Sequence, residues 1–190
     1  MSAPLFPNIN AVAEVKEVDG SAQIKPAQMN IVPGPAIEGR LLYDGDILHS
    51  SQDSKIQFSL IESNIQITMF GLSELRIDCN KQVCALKLNY GKIFTEAANN
   101  KQLNSSIITN TLEVILDENE LWITRSIAGK DDIFLIRGSA TIIPARGVEK
   151  HIKMGEMLTI NTKGETQIKK IEEDLIPTHI FQRLEKNLTW

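Results

Sequence analysis

The sequence lacks the features by which most catalytic and metal-binding proteins are recognised. It has two cysteines and three histidines in 190 residues, and neither type is spaced as a zinc-binding pair. It contains no Gly-x-Ser-x-Gly elbow for a serine nucleophile and no glycine-rich loop with a lysine for a nucleotide phosphate. We therefore expect a protein that is not an enzyme and that uses no metal and no cofactor.

Clustered basic residues and long apolar runs are missing as well. The 20 Lys and Arg are scattered among 24 Asp and Glu, whereas binding to nucleic acid needs clustered positive charge. No run approaches the roughly 18 apolar residues of a membrane-spanning helix, and residues 1–10 do not read as a signal peptide. We expect no nucleic-acid partner and no membrane span in this chain. Two localisations remain open, namely the cytoplasm, or export with the sequence being that of the mature protein.

Residues that favour β-strands dominate what is present. Isoleucine (26) outnumbers leucine (18), and β-branched side chains suit pleated, half-buried surfaces. Apolar and polar residues alternate, as at Ile56, Phe58 and Leu60. This period of two is typical of a β-strand with one buried and one solvent-exposed face. Many such runs, separated by turn residues and without crossover helices, predict an all-β antiparallel meander. A sandwich, a barrel and a short solenoid-like domain all fit this pattern.

A short pattern of glycine, charged residue and two apolar residues occurs three times, starting at Gly45, Gly91 and Gly155. Glycine permits the positive φ of a turn, and the apolar pair suits the start of a strand. The pattern predicts a turn followed by a strand at all three places. The unequal intervals do not establish a sequence repeat.

The end of the chain has a different period. After Pro177, apolar residues recur three or four positions apart, which is typical of an amphipathic helix. They are Ile180, Phe181, Leu184 and Leu188. The polar residues between them, Arg183 included, are expected to face away. We divide the chain into a β domain at 11–170 and a tail at 171–190, whose short helix must dock on its own sheet or on a partner, because ten helical residues are marginal alone.

Two further features are candidate sites. Cys79 and Cys84 flank a four-residue loop between predicted strands, so in an oxidising compartment they can bridge a hairpin; two free thiols in a cytoplasmic protein are the alternative. Trp122 alternates with its apolar neighbours, which sends its indole to the opposite face of the strand. There it either contacts a partner or is covered by a second sheet or the tail helix. The candidate protein-contact residues are Trp122, Phe181, Leu184 and Leu188.

Several short motifs, in order, resemble the FecR-type periplasmic domain family. They lie at residues 13–22, 42–50, 53–60, 73–77 and 88–93, and include a Gly45-Asp46 turn that opens a strand and a Ser-x-Leu-x-Ile element beginning at Ser73. The likeness extends over residues 12–168. The chain departs from the family pattern at the Glu62-Ser63-Asn64 turn, where Asp-Gly is usual, and after Thr109, where an Arg-Gly-Thr is common.

The resemblance implies a non-catalytic, exported FecR-like module that binds protein partners in the bacterial cell envelope as an adaptor or assembly component. Its expected location is the periplasm. The best-known relatives join a cytoplasmic anti-sigma segment, one membrane span and this domain, so the alternative is the sensory part of an anti-sigma regulator that relays an outer-membrane transporter signal. A third hypothesis, a hydrolase or sugar-binding enzyme, would need a deep pocket with two converging carboxylates.

Overall fold

The computed structural model describes residues 10–27, 31–80, 82–98 and 104–189, and most of them lie in β-strands. The strands in this part of the chain are β1 (Ala13–Asp19), β2 (Ala22–Lys25), β3 (Gly34–Pro35), β4 (Leu41–Leu42), β5 (Ile47–Ser50), β6 (Lys55–Leu60), β7 (Ile65–Cys79), β8 (Val83–Ala97), β9 (Asn104–Ile108), β10 (Leu112–Leu116), β11 (Glu120–Arg125), β12 (Asp131–Arg137), β13 (Ser139–Pro144), β14 (Lys150–Lys153), β15 (Glu156–Ile160) and β16 (Thr166–Lys170). A 3-10 turn (Glu173–Leu175) and the helix α1 (Thr178–Leu188) follow. The predicted all-β class with a short C-terminal helix is confirmed.

A long hairpin of β7 and β8 organises the strands into two sheets. Residues 65–70 of β7 pair with β6, and residues 73–76 pair with β5; residues 91–96 of β8 pair with β11, and residues 83–87 pair with β9. The pairing is continuous through β7 and β8, and it forms two branches that we call the first and second sheets. The first sheet has the order β4-β1-β6-β7-β8-β11-β12-β15-β16, and the second has the order β3-β2-β5-β7-β8-β9-β10-β13-β14. Each of the two long strands belongs to both sheets.

The two sheets share one apolar core. Phe58 of β6 and Ile123 of β11 come from the first sheet, Leu48 of β5 and Ile142 of β13 come from the second, and all four are buried in the same cluster. Two sheets over a common core form a sandwich-like arrangement, one of the predicted alternatives. In the described ranges every strand pairing is antiparallel except that of β8 with β9. After β8 the chain goes back to the start of that strand, so β9 runs beside the first half of β8 in the same direction.

The long hairpin changes sheet at Gly91, where two backbones approach closely. A Cβ on Gly91 would lie 2.0 Å from Ser73 Oγ, and the φ of Gly91 is 111°. Ser73 Oγ donates to the Phe70 carbonyl at 2.7 Å and accepts from the Lys92 amide at 2.9 Å, which fixes the register shift in β7. The prediction of a turn at Gly91 was wrong, since this glycine lies inside β8 and is required by close packing.

The other two glycines of the repeated pattern behave as predicted. Gly45 (φ 83°) precedes β5 and Gly155 (φ 84°) precedes β15. At the first of these turns Asp46 accepts hydrogen bonds from the amides of Tyr43 (3.0 Å) and Ala27 (3.2 Å). Because this carboxylate is occupied by backbone donors, it holds the turn that opens β5.

The tail helix docks on its own sheet. Ile180 and Leu184 of α1 are buried, and they lie in an apolar cluster separate from the shared core. Among the two alternatives for this helix, the structure shows the intramolecular one. The strands in the described ranges all fall within residues 13–170 and α1 falls within 171–190, while the division of the chain into a domain and a tail stays a prediction.

Candidate protein-binding site

The first sheet carries an apolar surface on the side away from the shared core. We call it the outer face and define it by Phe94 of β8, Trp122 of β11, Phe134 and Ile136 of β12, and Met157 of β15. On each of these strands the neighbouring apolar residues point into the shared core, so the strands are apolar on both sides. An outer face of aromatic and methionine side chains needs a cover, because exposed apolar patches of this kind are unfavourable in water.

Helix α1 supplies the cover. Ile180 and Leu184 insert against the outer face, and Ile176 at the end of the preceding segment joins them. Trp122 is 2% exposed under this cover, and its ring centroid lies 5.2 Å from that of Phe70 in a tilted arrangement. The alternative in which the tail helix covers the Trp122 indole is the one observed.

An ion-pair network anchors the helix on the outer face. Glu96 and Glu120 are directly opposite each other on β8 and β11, and like charges in that position repel. Arg183 of α1 bridges them, with Nη2 at 2.5 Å from Glu96 Oε1 and Nε at 2.5 Å from Glu120 Oε2. Its guanidinium also lies 5.3 Å from the centre of the Phe94 ring, in cation–π range. The prediction that Arg183 faces away from the sheet was wrong, because a residue at the flank of the apolar stripe can reach across to the acidic pair.

The environment of Arg183 stabilises its protonated form. Burial alone lowers the pKa of the guanidinium, but the hydrogen bond and charge of Glu120, followed by those of Glu96, outweigh burial and raise the pKa above its usual value. A second arginine, Arg137 of β12, donates from Nε to Glu120 Oε1 at 2.6 Å. One further polar contact, from Asn187 Nδ2 to the Ile136 carbonyl at 3.2 Å, holds the last turn of the helix.

An open groove continues from the outer face beside the start of α1. It has a volume of about 910 Å³. Phe70 and Trp122 form its floor, and residues 174–177, which lead into α1, form one wall. Leu72, which is 57% exposed, and Ile127, which is 83% exposed, stand at its rim. Exposed apolar side chains around a concave surface make this groove a candidate binding site.

Tyr90 also lines this groove. Burial, followed by the charge and hydrogen bond of Glu74, raises the pKa of its phenol. Glu74 in turn contacts His49 Nδ1 at 3.1 Å and accepts from Asn89 Nδ2 at 2.5 Å. The same carboxylate therefore favours the protonated phenol of Tyr90, which can donate a hydrogen bond.

Three of the four predicted contact residues lie in or against the apolar cluster of the outer face, and Leu188 lies outside it. Trp122 of β11 and Leu184 of α1 are both buried in this cluster, and Phe181 is half-buried beside it. Leu188 is 55% exposed beside the Gly155 turn, where a Cβ would lie 4.0 Å from its Cδ2. A contact role for these residues stays a prediction, and in this conformation Leu188 is the most accessible of the four.

The predicted disulfide is present. Cys79 and Cys84 occupy opposite positions of the β7–β8 hairpin and are bonded to each other. The amide of Cys79 donates to Asp44 Oδ1 at 2.8 Å. The disulfide closes the end of the β7–β8 hairpin that belongs to the second sheet. The outer face lies at the other end of these two strands.

The residue before the disulfide is held by two cations. Asp78 contacts Arg76 and Lys87, each at 2.6 Å. Burial raises the pKa of the Asp78 carboxyl, but the hydrogen bonds and charges of Lys87 and Arg76 outweigh it, so the pKa is lowered from 3.8. Both cations lie on the strands that the disulfide joins, and the carboxylate therefore supports the same register.

The sequence patterns did not reveal the acidic pair or most of the outer face. They placed Phe94, Phe134 and Met157 only as parts of strands, and they assigned no role to Glu96 and Glu120. One signal was available: residues 133–136 are an uninterrupted apolar run, and such a run indicates a strand that is covered on both sides. The pairing of Glu96 with Glu120 depends on register between distant strands, which no local pattern reveals.

The described residues offer neither a metal cluster nor a membrane-spanning helix. They contain no group of three or more His, Cys, Asp or Glu side chains placed to hold a metal ion. In the same ranges, no helix has both the length and the apolar character that crossing a bilayer requires.

Comparisons with known proteins add a likeness of fold. No protein-family model and no curated protein matches the sequence. Two crystal structures, at 2.50 Å and 1.65 Å resolution, of a "putative anti-sigma factor" from Parabacteroides distasonis ATCC 8503 are similar to this chain, each with a TM-score of 0.59 and 11% sequence identity. The likeness covers 66% of this chain and 60% of the Parabacteroides chain. At this identity it establishes a shared fold, and this chain corresponds to a little over half of that protein's length.

Proposed function

We propose that this chain is a non-catalytic protein-binding module of the bacterial cell envelope, and that it serves there as the sensory part of an anti-sigma-type regulator. The likeness of fold to the Parabacteroides protein is the observation that carries this proposal. The ordered motifs that resemble the FecR-type family point in the same direction. Use of the module as an adaptor in assembly of the envelope is the second candidate, and it is favoured by the same motifs.

The outer face and its groove support a binding role. The rim residues Leu72 and Ile127 expose apolar side chains next to a concave surface of about 910 Å³. Among the described residues, the groove is lined by a single carboxylate side chain, that of Asp174, whereas hydrolysis of a glycoside would use a pair. A second, smaller cavity contains Asp44 and Asp46, but both carboxylates accept backbone hydrogen bonds. These contacts favour binding of a macromolecule over catalysis.

The disulfide supports export. Disulfides form and persist in oxidising compartments such as the bacterial periplasm, and Cys79 and Cys84 are bonded. Alkylation of free thiols in intact cells of the source organism, before any exposure to air, tests this part of the proposal. We expect both cysteines to resist alkylation until a reductant is added, and rapid labelling of both would contradict export.

Site-specific photocrosslinking tests the binding role. A photoreactive residue is placed at Leu72 or at Ile127 in the full protein in its native cells, and at Val148 as a control that is also exposed (69%) but lies outside the groove. We expect both groove positions to capture the same protein and Val148 not to capture it. Equal capture from all three positions, or capture from none, would contradict the proposal.

The gene sequence upstream of this chain distinguishes the regulator from the adaptor. A cytoplasmic helical segment and a membrane span encoded before this sequence would support the regulator. A cleavable signal peptide in that place would support the adaptor.

A further inference from the structure

The outer face has the chemistry of a site for an amphipathic helix. Its apolar floor consists of three aromatic side chains, one isoleucine and one methionine, and the apolar stripe of an amphipathic helix binds to surfaces of this kind. Helix α1 occupies it through Ile180 and Leu184, which are one turn apart and buried. The floor itself is built by strands that are already packed on the shared core through their other sides, so the site does not depend on α1 for its shape.

The site also has a charge requirement. Glu96 and Glu120 face each other across β8 and β11, and the side chain of Glu120 is nearly buried. Arg137 reaches one oxygen of Glu120, and Arg183 reaches the other oxygen and Glu96. Without Arg183 the facing carboxylates would repel each other and one would be left partly desolvated. Any helix that replaces α1 is therefore favoured if it carries an arginine beside its apolar stripe.

The site extends beyond α1. The open groove shares Phe70 and Trp122 with the region under the helix, and its wall is the segment that leads into α1. A longer helix can contact Leu72 and Ile127 at the rim while α1 is still in place. The start of the tail is held on the sheet by the Ile171 amide, which donates to the Gly155 carbonyl at 2.9 Å, so only a short connection separates α1 from the outer face when the helix undocks.

We propose that the outer face binds an amphipathic helix of a partner protein, with an arginine at the flank of its apolar stripe, and that α1 is a tethered competitor for the same site. The inference rests on the proposed protein-binding function and gives it a partner chemistry and a means of regulation. A tethered helix competes at a high effective concentration, in the millimolar range for a short connection. The apparent Kd of a partner helix is then its intrinsic Kd divided by the fraction of molecules in which α1 is undocked.

The test uses the full chain and a peptide of its own residues 176–189 as the probe. The chain carries Trp190→Phe, so that Trp122 under the site is its only tryptophan, and the peptide is labelled for anisotropy. Arg183→Ala and Asn187→Ala loosen α1 and change no side chain of the outer face, because both residues belong to the helix; Arg183→Ala also leaves Glu96 and Glu120 free to receive the arginine of the probe. Lys186→Ala is the matched control, since Lys186 is exposed on the same helix and its carbonyl, which accepts from Thr189 Oγ1, is unaffected by the change.

We expect the peptide to bind saturably to both loosened variants, with a shift in Trp122 emission and an apparent Kd about tenfold lower than for the unmodified chain or for Lys186→Ala. A peptide with its own Arg183→Ala change should bind the loosened chain about tenfold more weakly. Loss of saturable binding in both loosened variants with β-sheet circular dichroism intact, or equal affinity in loosened and unloosened chains, would overturn the inference.

Two other outcomes are decisive. If the loosened variants form dimers at the working concentration by light scattering, the occupant is a second copy of this chain, and the partner helix is wrong. If the peptide does not bind but Leu72 still captures a protein in cells, this inference fails while the proposed function stands.

Discussion

Gly91→Ala tests whether the crossing of the long hairpin between the two sheets is as tight as the contacts indicate. A Cβ at this position would lie 2.0 Å from Ser73 Oγ, 2.3 Å from its Cβ and 2.5 Å from its Cα, so rotation of the Ser73 side chain cannot relieve the clash. The φ of 111° adds backbone strain of about 1–3 kcal/mol. Displacement of the neighbouring strand costs about 1–3 kcal/mol more. We expect a total loss of about 2–6 kcal/mol in the free energy of unfolding.

Gly39→Ala provides the matched control for this substitution. Gly39 also has a positive φ, 78°, but a Cβ there would meet no atom within 4 Å, so only the backbone strain applies. Urea unfolding of both variants, followed by circular dichroism with the disulfide intact, separates the two contributions. If Gly91→Ala loses no more stability than Gly39→Ala, the close approach of β7 and β8 does not limit the stability of the fold.

Three further predictions concern the disulfide, the buried ion pair of Arg125 with Asp131, and the carboxylate of Asp78. Replacing both Cys79 and Cys84 by serine should lower the free energy of unfolding by only about 2 kcal/mol, because the loop that the disulfide closes is short. In urea titrations of this variant, a reductant should have no further effect. A urea midpoint equal to that of the unmodified chain would contradict a stabilising role of the disulfide. Arg125→Met should cost about 3–5 kcal/mol, since Arg125 Nη1 lies 2.7 Å from a carboxylate oxygen of the fully buried Asp131, and a loss below about 1 kcal/mol would contradict that. Asp78→Asn should destabilise the protein at neutral pH, and the difference from the unmodified chain should vanish as the pH falls through the lowered pKa of Asp78, below 3.8; a difference that persists in acid would show that the carboxylate charge is not responsible.

The strands were predictable because their period is local. Ile56, Phe58 and Leu60 alternate with polar residues in the sequence, and all three are buried on one side of β6. This is the arrangement that a period of two predicts. The bonded cysteines were predictable for the same reason, since the loop that joins them is four residues long. The division of β7 and β8 between two sheets was not predictable, because it depends on which distant strands pair with each half.

The tail shows the limit of the helical pattern. The apolar spacing correctly placed Ile180 and Leu184 in the interface, and it left open whether the interface was internal or with a partner. It misplaced Arg183, because polarity alone does not tell a solvent-exposed arginine from one that faces a pair of carboxylates. Glu96 and Glu120, which attract Arg183, come together only through the register of β8 with β11.

Hydrogen–deuterium exchange of the full chain, read by mass spectrometry, tests the central claim that the two-sheet scaffold is complete without its helical cover. We expect the amides of α1 to exchange through a local opening that needs less free energy than exchange in β7, β8 and β11. Arg183→Ala should then accelerate exchange in α1 and leave those strands unchanged. Exchange of α1 and the strands at one common rate, accelerated together by Arg183→Ala, would show that the helix is an inseparable part of the fold and would contradict the account.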